Sequence, residues 1–107
     1  MSLDVYLEEK VVTTVFKANV THNLVPMAKE AGIYGIIWRA GENGIKYAKQ
    51  LIKPLSDAIE IMESDPQRFK KYNPENGWGD YEGFLSWLKR YLTACKDHKE
   101  ALVSVFR

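Results

Sequence analysis

The stretch that decides the fold is Asn19-Val20-Thr21-His22-Asn23, together with the apolar segment that follows it to Ala31. A strand-like run enters this stretch and a helical pattern leaves it, so the backbone changes from extended to helical here. Pro26 has no backbone N–H and fits best in the first turn of a helix. This places the helix N-cap at Asn23, with Thr21 as the competing choice.

Four side chains that form hydrogen bonds are crowded at this junction: Asn19, Thr21, His22 and Asn23. A helix start exposes backbone N–H groups without partners and carries partial positive charge, so it suits an anion or a polar ligand. The alternative is structural, with Asn23 or Thr21 capping the helix and His22 packing beside it. The sequence leaves both interpretations open.

Length and composition are those of a single folded domain covering residues 1–107. Hydrophobic residues make up 46% and charged residues 27% of the chain, which argues against disorder. The net charge of +1 provides no overall field toward a nucleic-acid backbone or an anionic membrane. Neither nucleic acid nor a membrane is therefore an expected partner.

The single cysteine, Cys95, excludes an intramolecular disulfide, and its helical spacing predicts a buried side chain in a reducing compartment. His22 and His98 lack the spacing of a metal-binding pair, and no cysteine cluster or phosphate loop occurs, so no metal or cofactor is predicted. The first residues lack the pattern of an export signal. We therefore expect a cytoplasmic protein in which the glycosylation pattern Asn19-Val20-Thr21 is not used.

Strand-like runs occupy Leu3–Leu7 and Val11–Val20, and the polar break at 8–10 predicts a hairpin or one long bent strand. The alternating segment Ala101–Phe106 predicts a final strand. Strands at both ends with helices between them indicate an α+β fold. We expect a small antiparallel sheet, formed by the N-terminal strands and the C-terminal strand and covered by about three helices.

The strongest helical period in the chain runs from Ile45 to Ser64. Pro54 lies inside it and predicts a kink near residues 50–53. The earlier run Ile33–Trp38, after the expected C-cap Gly32, is compatible with a short helix or a buried strand. The order of the strands in the sheet is not predicted.

The last helix is predicted to begin after Asp80, a good N-cap, and a long polar loop covers Gln67–Gly79 before it. Its core stripe is predicted to comprise Phe84, Leu85, Leu88, Tyr91, Leu92 and Cys95, with Trp87 to one side.

A second candidate site is Asn76-Gly77-Trp78-Gly79-Asp80-Tyr81-Glu82, in which glycines frame an indole. Trp78, Tyr81 and the amide of Asn76 offer the stacking plane and the donors and acceptors that a nucleobase, a ribose or a sugar ring requires. The alternative is that Trp78 anchors the loop to the core. A third candidate is Trp38-Arg39, where an indole face adjoins a guanidinium able to bind phosphate or carboxylate.

These motifs resemble those of a family of small uncharacterised proteins found in bacteria and phages. The matching residues are Asn19-x-Thr21-His22-Asn23-Leu24-x-x-Met27-Ala28-x-x-Ala31-Gly32-Ile33-Tyr34, then Trp38-Arg39, then Asn73-Pro74-x-Asn76-Gly77-Trp78-Gly79-x-Tyr81-Glu82-Gly83. The chain departs from the pattern at Ala40, where a proline is expected, and at Phe106, where a small polar residue is usual.

The resemblance implies an origin in bacteria or phages but no particular activity, because the family has no established function. Small phage proteins include sponges that sequester nucleotide signals of bacterial immunity and inhibitors that cover a host protein. Our first hypothesis is a non-catalytic binder of a small polar ligand, a cyclic or ADP-ribose-type nucleotide, which by analogy with sponges is held between subunits of a homo-oligomer. The alternatives are a host-protein-binding inhibitor, and a small hydrolase or transferase that uses His22 with Asp80 or Glu82.

Overall fold

A computed structural model describes residues 1–9 and 13–107 of the chain, and in this part three strands form one antiparallel sheet. The strands are β1 (Ser2–Glu9), β2 (Thr13–Thr21) and β3 (Leu102–Phe106), in the order β2-β1-β3. The N-terminal hairpin and the C-terminal strand therefore share one sheet with β1 in its centre, which confirms the predicted α+β architecture. Val11 and Val12, which the sequence assigned to the second strand, lie outside the described residues.

The sheet register brings the start of β1 beside the end of β2. Ser2 pairs with Thr21, and Asp4 pairs with Asn19 on one side and with Phe106 on the other. A register shift lies between Leu7 and Glu8, at the polar break where the sequence suggested a turn or bulge. This register sets which side chains lie together on each face of the sheet.

The two faces of the sheet differ in polarity. Leu3, Val5 and Leu7 are completely buried, because alternate residues of β1 face the helices. The residues that alternate with them, among them Ser2 and Asp4, face the other way and are only half-buried. Within the described residues the helices therefore cover one face of the sheet and leave the other open.

Five α-helices occur in the described part of the chain, where the sequence predicted about three. They are α1 (Val25–Glu30), α2 (Tyr34–Trp38), α3 (Ile52–Ser64), α4 (Pro66–Lys70) and α5 (Tyr81–Asp97), with 3-10 turns at His22–Leu24, Gly41–Asn43 and Ala48–Leu51. The ambiguous run Ile33–Trp38 is thus a short helix. None of the helices in residues 1–9 and 13–107 is long and apolar enough to cross a membrane.

The predicted helix Ile45–Ser64 begins later than expected, at Ile52. The segment before it instead borders the outer edge of β3, where Val103 N donates to Lys46 O (2.9 Å) and Ala48 N donates to Ala101 O (2.9 Å). Pro54 lies in the first turn of α3, where its missing N–H interrupts no helical hydrogen bond. The predicted kink in one long helix is therefore wrong, because the 3-10 turn Ala48–Leu51 directly precedes α3 and no earlier turn of that α-helix lies before the proline.

The predicted loop Gln67–Gly79 is shortened by α4, a helix that the sequence analysis missed. Glu30 at the end of α1 holds this region in place. Its carboxylate accepts hydrogen bonds from Arg68 Nε (2.7 Å) and from the Tyr72 hydroxyl (3.1 Å). These contacts hold the pKa of Glu30 below its usual value.

The buried side chains of the sheet and helices form one core cluster, in which α5 packs beneath the sheet. Tyr91 stacks on Phe16 of β2 with 5.7 Å between ring centroids. The predicted stripe of α5 is confirmed in outline, with Leu85 and Leu92 only partly buried. Trp87, predicted to lie to one side of this stripe, is only 4% exposed and packs edge-on against Tyr91.

Candidate functional site

The transition from β2 to helix is made by the 3-10 turn His22–Leu24. Thr21 caps this turn, because its Oγ1 accepts a hydrogen bond from the backbone N of Asn23 (3.2 Å). Asn23 is therefore not the cap, and α1 begins only at Val25 with Pro26 in its first turn. The backbone N–H of Asn23 is already bonded to Thr21, so it cannot form the anion site predicted at the helix start. The polar side chains at this junction remain as candidates for ligand binding.

A cavity of about 530 Å³ opens at this junction. It is lined by Met1, Ser2, Asn19, Thr21, His22, Asn23, Asn76 and Trp78. All four polar residues predicted at the junction line it, and so do two residues of the glycine-framed loop. The two stretches that the sequence singled out therefore meet in one cavity, although more than fifty residues separate them in the chain.

The loop reaches this cavity because Gly79 lets it pack against the end of β2. Gly79 has a φ of +98°, and a Cβ at this position would lie 3.0 Å from both Thr21 Cγ2 and Leu24 Cγ. A side chain would therefore meet both strain and close contact. The base of the loop is closed by a hydrogen bond between residues on either side of this glycine, in which Tyr81 N donates to Asn73 Oδ1 (2.8 Å).

The indole of Trp78 is 69% exposed, so it does not anchor the loop to the core. Its backbone N donates to Asn76 Oδ1 (2.9 Å), which fixes a tight turn in front of the ring. Of the two interpretations drawn from the sequence, the exposed aromatic plane is the one that the geometry supports.

Two of the cavity side chains are held by hydrogen bonds to neighbouring side chains. Asn19 Nδ2 donates to Ser2 Oγ and to Asp4 Oδ1, each at 2.7 Å. His22 Nδ1 accepts a hydrogen bond from Trp38 Nε1 at 2.9 Å. Both side chains are thus oriented before any ligand arrives.

Three residues predicted for the site do not line the cavity. Trp38 is 1% exposed and stacks on Tyr34 (5.7 Å between centroids), so its faces are closed to a ligand from solvent. Arg39 forms hydrogen bonds with Glu42 (2.9 Å) and Tyr34 (3.1 Å) instead of facing the cavity.

Tyr81 is the third residue outside the lining. It is 5% exposed and its hydroxyl donates to Met62 O (2.7 Å), so the ring belongs to the core. Desolvation by this burial raises the pKa of the Tyr81 hydroxyl. The predicted contribution of Tyr81 to ligand binding is corrected accordingly.

None of the described lining residues is Asp, Glu, Lys or Arg, so the charge that the lining carries is the α-ammonium of Met1, a fully exposed residue. Asp4 is the nearest acidic group that the hydrogen bonds reveal, through its contact with Asn19. Within residues 1–9 and 13–107, no group of three or more His, Cys, Asp or Glu side chains is arranged to hold a metal ion. The lining can therefore supply stacking and neutral hydrogen bonds.

Sequence reasoning missed Met1 and Ser2 in the lining and Asp4 behind it. The signal for Ser2 and Asp4 is the hairpin register, which pairs them with Thr21 and Asn19. The predicted hairpin brought these strands together without fixing that register. No motif marks Ser2 or Asp4 in the sequence itself.

The chain matches no protein family, no curated protein and no solved structure. The resemblance to small bacterial and phage proteins stays a prediction. The interpretation of the cavity therefore depends on its own geometry.

Proposed function

We propose that the chain binds a small polar, nucleotide-like ligand in the cavity and leaves it chemically unchanged. The observation that best supports this is the exposed indole of Trp78 in one cavity with neutral amides and an imidazole. An aromatic plane stacks on any nucleobase, and neutral amides match the edge of a base or the hydroxyls of a ribose. The cavity volume of about 530 Å³ also falls in the range of roughly 300–1,000 Å³ that is usual for small-molecule sites.

Binding without catalysis is favoured by the hydrogen bonds of His22. A histidine that acts as a general base is commonly oriented by a carboxylate, whereas Nδ1 of His22 faces the indole donor of Trp38. Asp80 accepts from Gly83 N as the cap of α5, and Glu82 forms an ion pair with Lys70. The hydrolase or transferase hypothesis thus lacks the support of a base oriented by a carboxylate and is the weaker alternative.

The biological role we propose is sequestration, as a phage-encoded sponge that holds a cyclic or ADP-ribose-type nucleotide signal of bacterial immunity. The proposed location is the cytoplasm of the bacterial host, where such signals are made. The support for this role is the resemblance to bacterial and phage proteins together with the chemistry of the cavity. A homo-oligomer that places ligands between subunits belongs to the same proposal, and light scattering after size exclusion measures it.

Isothermal titration calorimetry with a panel of nucleosides, cyclic nucleotides and ADP-ribose-type nucleotides tests the proposal. Trp78→Ala is expected to weaken binding by about 5- to 150-fold, because base stacking on an aromatic ring contributes roughly 1–3 kcal/mol. Phe106→Ala is the matched control, since Phe106 is an aromatic residue of similar exposure (61%) that does not line the cavity.

Mass spectrometry of the ligand recovered from the titration tests the absence of turnover. We expect the input compound alone. An altered compound whose formation is lost in His22→Ala would support the enzymatic alternative. No heat with any member of the panel would overturn the proposed function.

A host-protein-binding module is the second candidate function, and one observation favours it. On the open face of the sheet, Phe106 packs edge-on against Tyr6 at 5.6 Å, and it stays 61% exposed. Exposed aromatics of this kind are typical of binding hot spots. Loss of a captured host protein in Phe106→Ala, with nucleotide binding unchanged, would support this candidate.

A further inference from the structure

The hydrogen bonds around the cavity fix which atoms of Asn19 and His22 are left for a ligand. The carboxamide nitrogen of Asn19 has two hydrogens, and Ser2 Oγ and Asp4 Oδ1 accept one each. Since a carboxylate oxygen can only accept, Asp4 prevents the amide from turning over. The carbonyl oxygen Oδ1 of Asn19 is the atom that remains, and it is an acceptor.

His22 offers a ligand a hydrogen-bond donor, whereas Asn19 offers an acceptor. An indole N–H can only donate, so Nδ1 of His22 accepts from Trp38 and the proton of the neutral imidazole lies on Nε2. The remaining ring atom of His22 is thus a donor. A ligand meets an N–H here.

Asn76 is fixed in the same way by the turn in front of Trp78. Its Oδ1 accepts from Trp78 N at 2.9 Å, which leaves the two N–H groups of Nδ2 for a ligand. Asn76 and His22 therefore contribute donors, whereas Asn19 contributes an acceptor. The pattern exists before binding, so little reorganisation is required of these side chains.

From this pattern we propose that the cavity recognises the uncharged nucleoside part of a ligand, through two fixed donors, one fixed acceptor and the plane of Trp78, and leaves phosphate groups in solvent. The inference rests on the proposed function and specifies its ligand. A heterocycle with two acceptors and one donor complements the three fixed groups. Phosphate recognition commonly uses Arg or Lys, and neither occurs among the described lining residues. The α-ammonium of Met1 belongs to a fully exposed residue and is screened by solvent, while the carboxylate of Asp4 accepts a hydrogen bond from Asn19.

The first experiment compares the four common nucleosides with their 5′-monophosphates and with inorganic phosphate by calorimetry. We expect a nucleoside and its monophosphate to bind within about threefold of each other, with no binding of inorganic phosphate alone. Between about 50 and 500 mM salt the affinity is expected to stay constant, because no ion pair with the ligand is formed.

The outcomes separate this inference from the proposed function. If monophosphates bind more than about tenfold tighter than nucleosides, or only at low salt, the inference is wrong and the proposed function stands. If neither nucleosides nor nucleotides bind, the proposed function fails and the inference fails with it.

The second experiment tests the polarity of one group. In Asn76→Asp, an oxygen still accepts from Trp78 N, but the free donor becomes a charged acceptor. We expect nucleoside binding to weaken by at least about tenfold, because a donor is lost and an acceptor of the ligand then faces a carboxylate. Asn73→Asp is the matched control, because it adds the same charge in the same loop and retains its bond to Tyr81 N outside the lining.

The nucleoside affinities of Asn76→Asp and Asn73→Asp test whether Asn76 acts as a donor. Equal loss in both would indicate a general effect of negative charge and would overturn the assignment of Asn76 as a donor. Far-ultraviolet circular dichroism and the urea midpoint of each variant verify that the fold is retained.

Asp4 is a positioning residue for Asn19, and the variant Asp4→Asn tests this role. In Asp4→Asn the side-chain shape is kept, but the new amide both donates and accepts, so Asn19 is free to turn over. We expect weaker nucleoside binding with an unchanged urea midpoint, whereas unchanged binding would overturn the role of Asp4.

Discussion

The indole nitrogen of Trp38 donates a hydrogen bond to Nδ1 of His22 across 2.9 Å. Trp38 belongs to the core, with 1% of its surface exposed, whereas His22 is a half-buried wall of the cavity. The bond therefore links the packing of α2 to the polar surface at the end of β2. Trp38, which the sequence predicts as a stacking platform, contributes to the cavity by orienting His22.

Trp38→Phe is expected to reduce stability more than Trp87→Phe. Both indoles are buried, but Trp87 Nε1 has no hydrogen-bond partner among the described residues. Replacement of Trp38 removes both ring volume and a hydrogen bond, so the difference between the variants is expected to be about 1 kcal/mol. Urea unfolding of both variants measures it, and equal losses would show that the bond to His22 adds no net stability.

Gly79→Ala is expected to destabilise the fold and to displace the loop that carries Trp78. At φ +98°, with Thr21 and Leu24 each 3.0 Å from the new Cβ, the cost is expected to be about 2 to 3 kcal/mol. Gly77→Ala is the control, because Gly77 also has a positive φ (+77°) but its Cβ would have nothing within 4 Å. Urea midpoints and Trp fluorescence measure both effects, and a smaller loss at Gly79 than at Gly77 would contradict the close-packing argument.

Glu30→Gln is expected to remove part of the loss of stability in acid. The hydrogen bonds from Arg68 and Tyr72 lower the pKa of Glu30 in the folded protein below its ordinary value of 4.5. The carboxylate therefore contributes stability above pH 4.5, and this contribution is lost as the pH falls through the folded pKa. The gap between wild-type and Glu30→Gln urea midpoints is expected to close in acid.

Glu60→Gln, an exposed substitution on α3, controls for the loss of one negative charge in that comparison. Parallel pH curves for the wild type and Glu30→Gln would contradict the role assigned to the Glu30 cluster.

Cys95 is expected to resist thiol reagents while the chain is folded. The side chain is completely buried, and this burial raises the pKa of the thiol to about 12. Few molecules carry a thiolate at about pH 8, so modification requires unfolding. Absorbance with a chromogenic disulfide measures the rate with and without urea, and rapid reaction of the native protein would contradict the prediction.

Periodic elements of the fold could be predicted from the sequence because their pattern is local. The alternation of Leu3, Val5 and Leu7 identifies the buried face of β1, and the spacing of apolar residues identifies α5. The polar residues at the two turns were likewise identifiable as candidates. That these turns meet depends on contacts such as those of Gly79 with Thr21, which no local pattern specifies.

The start of α3 could not be predicted, because apolar spacing of three residues is common to helices and 3-10 turns. Ala48 and Leu51 continue the helical period although Tyr47 pairs with β3 and Gln50 binds the backbone N–H groups before it. Trp38 poses a similar problem, since an indole next to an arginine has the same sequence whether it is exposed or packed on Tyr34. Long-range packing decides both cases.

The sheet order places β1 between a neighbour in the sequence and a strand near the other end of the chain, with Asp4 paired to Phe106. During synthesis on the ribosome, β1 and β2 emerge early and are able to form their hairpin at once. β3 emerges about a hundred residues later, after the five α-helices described above have been translated. One edge of β1 therefore stays unpaired during that time. Closure of so long a loop is slow, and we expect the arrival of β3 to be the last and rate-limiting event of folding.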